Sequence, residues 1–123
     1  MLATLICLNG KCREAIEFYK KALNATVNIV IPNKENDALI DHSEIYIHDC
    51  LLILNDFGGS DGTLKSNGYL LSLKFESEEE LKNAYSIMED KSTTISPMQA
   101  QDYTACEVVF IDKFDVRWGF WVG

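Results

Sequence analysis

The sequence has no apolar run approaching the roughly 20 residues that cross a bilayer as a helix, which argues against a membrane protein of the helical kind. It is also poor in positive charge, with 11 Lys and Arg against 19 Asp and Glu and a formal net charge of −8. That balance argues against a sequence-independent grip on nucleic acid, which needs Lys and Arg clustered on one face. It disfavours anionic membrane surfaces as well, and permits a cationic ligand or partner. The opening MLATLICLNGKCREA has no basic stretch ahead of its apolar residues and soon meets charge at Lys11 and Arg13. It does not read as a signal peptide, and a cytoplasmic protein is expected. The 4 cysteines, at positions 7, 12, 50 and 106, form no Cys-x-x-Cys pair, and neither of the 2 histidines stands at zinc-finger spacing from them. They read as reduced thiols, mostly buried as small hydrophobes. No Ser/His/Asp or Cys/His arrangement is assignable from spacing, so catalytic residues stay unknown at this level.

What is present is a globular composition, 47% hydrophobic and 11% aromatic, in a chain of 123 residues, enough for one domain with one core. LATLICL (2–8) reads as a strand broken by Asn9-Gly10. Cys12, Ala15, Ile16, Tyr19 and Leu23 follow helical spacing, and Asn24 is a plausible left-handed stop. Strands are predicted at Val27–Ile31, His42–His48 and Leu51–Leu54, the last two as a hairpin turning at Asp49-Cys50. The glycine-rich stretch 58–68 is the one candidate linker. It contains Gly58-Gly59-Ser60-Asp61-Gly62 without the following Lys-Ser/Thr of a phosphate loop. Then the order begins again. Tyr69–Phe75 is a strand, and Ser77-Glu78-Glu79-Glu80 is a capping-box signature. Leu81, Ala84, Tyr85 and Met88 form a helical stripe, followed by strands at Thr93–Ile95, Cys106–Ile111 and Val116–Val122. Glu78, Glu79 and Glu80 read as a solvated helix start favoured by the helix dipole.

The halves thus share an order, strand–helix–strand–strand–strand, with almost no residue identity. The expected fold class is α+β, two βαβββ modules forming a half-barrel cleft, with module one at about 1–57, the linker at 58–68 and module two at about 69–123. Strand parity divides cleft-facing from helix-facing residues. It sends Trp118 and Phe120 to the core and Arg117, Gly119 and Trp121 to the cleft.

Three segments carry a family resemblance. Asn9-Gly10-Lys11-Cys12-Arg13-Glu14-Ala15-Ile16-Glu17-Phe18-Tyr19 resembles the opening helix motif of the vicinal-oxygen-chelate superfamily (glyoxalase, bleomycin-resistance and dioxygenase proteins), in particular its PhnB-like branch. His42-Ser43-Glu44-Ile45 with Leu52-Ile53-Leu54-Asn55-Asp56 is similar to that branch's "HAEL … LMLSD" pattern. Asp112-Lys113-Phe114-Asp115-Val116-Arg117-Trp118 is similar to its "D-x-F-G-x-R-W" ending, with Asp115 in place of the turn glycine. Tyr103-Thr104 stands where the branch has an aromatic-glycine pair after "P-x-Q", here Pro97-Met98-Gln99. The resemblance implies paired βαβββ modules and commonly a homodimer. In the superfamily's metalloenzymes it implies a divalent ion held by His and Glu on four cleft strands. Those positions fall here on Thr4, on Leu54 within Leu51–Leu54, on Leu70 (favoured by parity over Tyr69) and on Gly119. None bears an imidazole or a carboxylate, so neither a metal nor another cofactor is expected.

The candidate ligand-binding residues are Thr4, Asp56, Arg117, Trp121, Tyr103 and Gln99. Arg117 offers a guanidinium fork for an anionic group, or pairs with Asp56 or Glu44. Trp121 offers a stacking platform or a dimer contact. Cys106 lies beside Glu107, which does not favour a thiolate nucleophile. The sequence points to a metal-independent protein binding an unidentified small organic ligand, as bleomycin-resistance proteins sequester a cationic drug, and to a homodimer with no nucleic-acid or membrane partner. The alternatives are a metal-free enzyme using Asp56 or His42 as acid/base, and an interaction module whose cleft is filled by its own aromatic side chains.

Overall fold

A computed structural model describes residues 1–57 and 68–123. The predicted linker, Gly68 apart, lies outside the described residues. The chain divides into two compact units, Met1–Leu64 and Lys65–Gly123.

In the first unit, β1 (Thr4–Cys7), α1 (Cys12–Leu23), β2 (Thr26–Pro32), β3 (Ile40–Ile47) and β4 (Cys50–Asn55) build a sheet of order β1-β4-β3-β2. β1 runs parallel to β4, and the other pairs are antiparallel. Helix α1 ends as expected, with Asn24 left-handed at φ 53. The hairpin turn differs from expectation by one residue. Ile47 pairs with Cys50, so the turn is His48-Asp49, both at positive φ (49 and 64). Two such residues give the turn whose twist matches the flanking strands, and Cys50 opens β4. Ser43, Ile45 and Ile47 alternate as buried residues on β3, as do Leu52 and Leu54 on β4. Cys12 Sγ, at the start of α1, lies 3.7 Å from Ser43 Oγ, so this is the sheet face that α1 covers. The core here is mainly aliphatic, with Tyr19 its one fully buried aromatic.

The second unit repeats the topology. β5 (Leu71–Phe75), α2 (Glu78–Met88), β6 (Thr93–Gln101), β7 (Thr104–Ile111) and β8 (Arg117–Val122) give the order β5-β8-β7-β6, with β5 parallel to β8. Strand β6 is much longer than the expected Thr93–Ile95. It runs on through Pro97 because it is the outer strand, where a missing N–H is tolerated, and its register against β7 slips repeatedly. Parity predicts the core correctly here. Phe75, Phe110, Trp118 and Phe120 are buried, and Tyr85 of α2 packs edge-on against Phe110 at 5.0 Å between centroids.

Candidate functional site

The second sheet has one face under α2 and one open face. Across the open face, register aligns Lys74, Trp121, Glu107 and Gln99 in one row, then Ser72, Gly119, Val109 and Ser96, then Arg117 with Ile111. Arg117, Trp121, Gln99 and Tyr103 are therefore brought onto or beside one face. Trp121 is fixed by its ring N–H, which donates to Ser72 Oγ at 2.9 Å, and Lys74 Nζ lies 5.7 Å from its ring centroid. Tyr103 donates to Glu107 Oε2 at 2.6 Å, and this bond to a carboxylate holds the phenol above its usual range. Gln99 donates to Ser96 Oγ at 3.3 Å. A depression of about 490 Å³ opens beside Tyr103 and is also lined by Gln101, Val122 and Gly123. As members of this face, Glu107, Lys74 and Ser72 carry no sequence motif, although strand parity from Gly119 and Trp121 reaches them.

The Arg117 side chain is half-buried and makes no hydrogen bond or ion pair among the described residues. Its two expected protein partners are already engaged. Asp56, 7% exposed, accepts from the Gly10 and Cys12 amides at 2.6 and 3.0 Å and from the Ile40 amide at 2.8 Å. A carboxylate so committed is a structural cap, which removes Asp56 both as ligand contact and as acid/base. Glu44 accepts from His42 Nε2 at 2.7 Å and from Asn28 Nδ2 at 3.2 Å.

The positions corresponding to metal ligands behave differently from one another. Leu54 is fully buried on the α1-covered face, so it cannot line an open face. Thr4 is in register with Leu52 and shares that side, at the edge of the sheet. The open-face register positions are instead Leu5 and Ile53. Leu70 and Gly119 do meet. A Cβ on Gly119 would stand 3.1 Å from Leu70 Cδ1, so the Leu70 side chain fills the space beside Gly119. None of these side chains donates an electron pair suited to a divalent ion, and the set does not fit one. Among the described residues, no three His, Cys, Asp or Glu side chains are grouped to hold a metal.

The two buried thiols, Cys12 and Cys106, are poor nucleophiles. Burial first, then the Asp56 charge, pushes Cys12 up to about 11 despite its bond to Ser43. Cys106 is also raised, by burial and then by Glu78. The expected cause, Glu107, lies on the other face of β7.

No family model matches the sequence, and no curated protein matches it. The structure, in contrast, has close counterparts. A PhnB protein from Bacillus cereus superposes with TM-score 0.88 at 16% identity, covering 99% of this chain and 98% of that one. A Pseudomonas aeruginosa protein superposes with TM-score 0.85 at 21% identity, over 99% and 96% of the two chains. A glyoxylase/bleomycin resistance protein/dioxygenase domain from Frankia sp. EAN1pec gives 0.68 at 14% identity, over 99% and 94%. No described helix is long and apolar enough to cross a membrane. With paired βαβββ units and these counterparts along nearly its whole length, the chain has the vicinal-oxygen-chelate fold of the PhnB-like and glyoxalase/bleomycin-resistance proteins.

Proposed function

We propose that this is a cytoplasmic protein that binds a small organic anion, without metal, on the open face of its second sheet. Arg117 takes the anionic group and Trp121 supports the apolar body. The observation that carries the reading is Arg117 itself, half-buried on a strand and without a hydrogen-bond or ion-pair partner among the described residues. A guanidinium presents a planar fork of donors suited to a carboxylate or phosphate, and leaving it unmatched is costly. The Trp121 ring, held by Ser72, supplies a flat surface on the same strand face. The acidic balance of the whole chain favours cations in general, and the Arg117 guanidinium is a local exception to it. A homodimer is part of the proposal. Strand β2 is an outer strand that exposes Val27, Ile29, Val30 and Ile31, and pairing covers such edges.

Naphthoate is a suitable probe, titrated by calorimetry against wild type and Arg117→Ala. The variant should bind about ten- to a hundredfold more weakly, since hydrogen bonds to charged groups contribute roughly 1.5–3 kcal/mol, with little change in melting temperature. Lower stability with undiminished naphthoate affinity would defeat the reading, and tighter binding of naphthylmethylammonium would reverse its polarity. Zinc, nickel and manganese should not raise the melting temperature, because only an ion held by the folded state stabilises it.

A further inference from the structure

The first unit carries a second cluster, independent of the Arg117 face. Alternation along β3 sets His42 and Glu44 on the sheet face away from α1, and the two are joined by a 2.7 Å Nε2···Oε2 contact. The other carboxylate oxygen accepts from Asn28 Nδ2 at 3.2 Å. Asn28 stands at an irregularity of β2, between Val27 and Ile29, where an extra residue re-aims a side chain. With both oxygens engaged, the Glu44 carboxylate has a fixed orientation. We propose that His42 and Glu44 form a carboxylate-oriented imidazole base, able to take a proton from a small, uncharged carbon acid.

Three features support this. With Glu44 as acceptor, His42 carries its proton on Nε2 and keeps the Nδ1 lone pair for a substrate, the orienting logic that carboxylates exert on imidazoles elsewhere. The pair is reachable, with the His42 and Glu44 side chains 37% and 23% exposed. Its register neighbours are aliphatic, with Ile31 beside His42, Ile29 and Ile53 beside Glu44, and Leu5 beyond Ile53. An apolar surround suits an uncharged substrate. The Glu44 carboxyl is held below its ordinary range, chiefly by the hydrogen bond from His42, which favours its ionised, accepting form.

The other titratable groups nearby are committed elsewhere. Asp41 accepts from Asn33, Asp56 from three backbone amides, and Cys7 donates to Asn9, while Tyr46 lies further along the same strand face. Among the described residues, no Lys or Arg pairs with Glu44, and no hydroxyl or thiol is hydrogen-bonded to His42. The imidazole therefore has no protein nucleophile to activate, and its proton acceptor faces substrate directly.

Nitrobenzisoxazole is the probe, since its ring opening needs only an oriented base in an apolar setting. Nδ1 takes the ring C–H proton, that bond's electron pair forms the nitrile, and the N–O bond breaks to give the coloured cyano-nitrophenolate. The imidazolium then returns its proton to solvent. His42→Ala should lower kcat/KM at least about a hundredfold, the lower range for a positioned base. Glu44 acts as a positioning residue. In Glu44→Gln a neutral carboxamide no longer fixes the Nε2–H tautomer, so kcat should fall with KM little changed, and Glu44→Asp should recover part of it. A merely structural Glu44 would leave kcat of the folded variant unchanged. Nitrogen NMR of the wild type provides a readout that does not depend on the variants folding, and it should show the Nε2–H tautomer of neutral His42. Undiminished activity in His42→Ala, an undiminished kcat in Glu44→Gln, or the Nδ1–H tautomer would each overturn the proposal.

Discussion

The two units repeat one topology with different chemistry, and the clearest contrast is how each starts its helix. Helix α2 is capped locally, with Ser77 Oγ accepting from the Glu80 amide at 3.1 Å. Helix α1 begins after Lys11, which makes no side-chain cap, and its first amide is satisfied by Asp56 from the far end of β4. The second unit also has a buried aspartate, Asp112, but aims it differently. Asp112 accepts from the Phe114 and Val116 amides and from the Trp118 ring N–H, bracing the turn into β8 and the largest buried ring. The cores diverge in the same way, aliphatic around Ile45 and Leu54 in one unit, four aromatic side chains in tilted and edge-on contact in the other. A shared topology therefore fixes where polar termini must be satisfied and where apolar faces must meet, while leaving open which residues do it.

The aromatic core supplies the largest expected effect. Phe120 is fully buried with its ring 4.9 Å from Phe75, 5.0 Å from Phe110 and 5.8 Å from Trp118. Phe120→Ala should cost about 4–5 kcal/mol, from the cavity and three lost ring contacts. Ile45→Ala, equally buried in the first unit, should cost about 3 kcal/mol. Urea unfolding of both variants decides the point, and an Ile45 cost equal to or above that of Phe120 would break the contrast between the cores.

The long-range cap comes next. Removing the Asp56 carboxylate strands three amide donors in a nearly closed site, so Asp56→Ala should cost about 3 kcal/mol, with Asp56→Asn recovering part of it. A loss under about 1 kcal/mol would show that water replaces the carboxylate and that α1 needs no remote partner. Ser77→Ala, the local equivalent, should cost about 1 kcal/mol. Thermal unfolding of the Ser77 and Asp56 variants side by side measures the difference between capping across the sheet and capping within four residues.

The same difference explains what could be read in advance. Ser77-Glu78-Glu79-Glu80 announces a helix start because the cap and its amide are neighbours in sequence, and Asn24 announces a stop because left-handed backbone is local. The parity of Trp118 and Phe120 assigned the core of β8 because period-two alternation is also local. Asp56 was misread as a cleft residue because its partners are 46, 44 and 16 positions away. Leu54 was placed on the wrong face because family spacing, unlike hydrogen-bond register, does not say which way a strand is turned. The full length of β6 was hidden by Pro97, which marks a strand end only where the strand is interior. The His42–Glu44 contact had a local signal, two polar residues at strand spacing, but its third member, Asn28, enters through an irregularity of β2 that no composition signals.

The smallest expected effect compares one glycine from each unit. Gly119 has ordinary strand backbone, and its missing side chain leaves room that Leu70 occupies, with Cδ1 3.1 Å from where a Cβ would stand. That approach is tight by a few tenths of an ångström, but Leu70 is 42% exposed and can swing away without opening a cavity. Replacing glycine also restricts the unfolded chain, which favours the folded state by about 0.4–1 kcal/mol. The two terms oppose each other, so Gly119→Ala should fall within about 0.5 kcal/mol of wild type. Gly10 meets nothing closer than 3.9 Å from Leu39, yet its φ of +96 is a conformation that side chains rarely adopt. Its amide is also held by Asp56, so the backbone cannot relax without losing that bond. Gly10→Ala should therefore cost about 1–2 kcal/mol from backbone strain alone. Thermal unfolding of the two variants separates steric room from backbone conformation. If Gly119→Ala proved as costly as Gly10→Ala, Leu70 would be a fixed wall rather than a movable plug, and the open face beside Arg117 would be narrower than the proposed anion site requires.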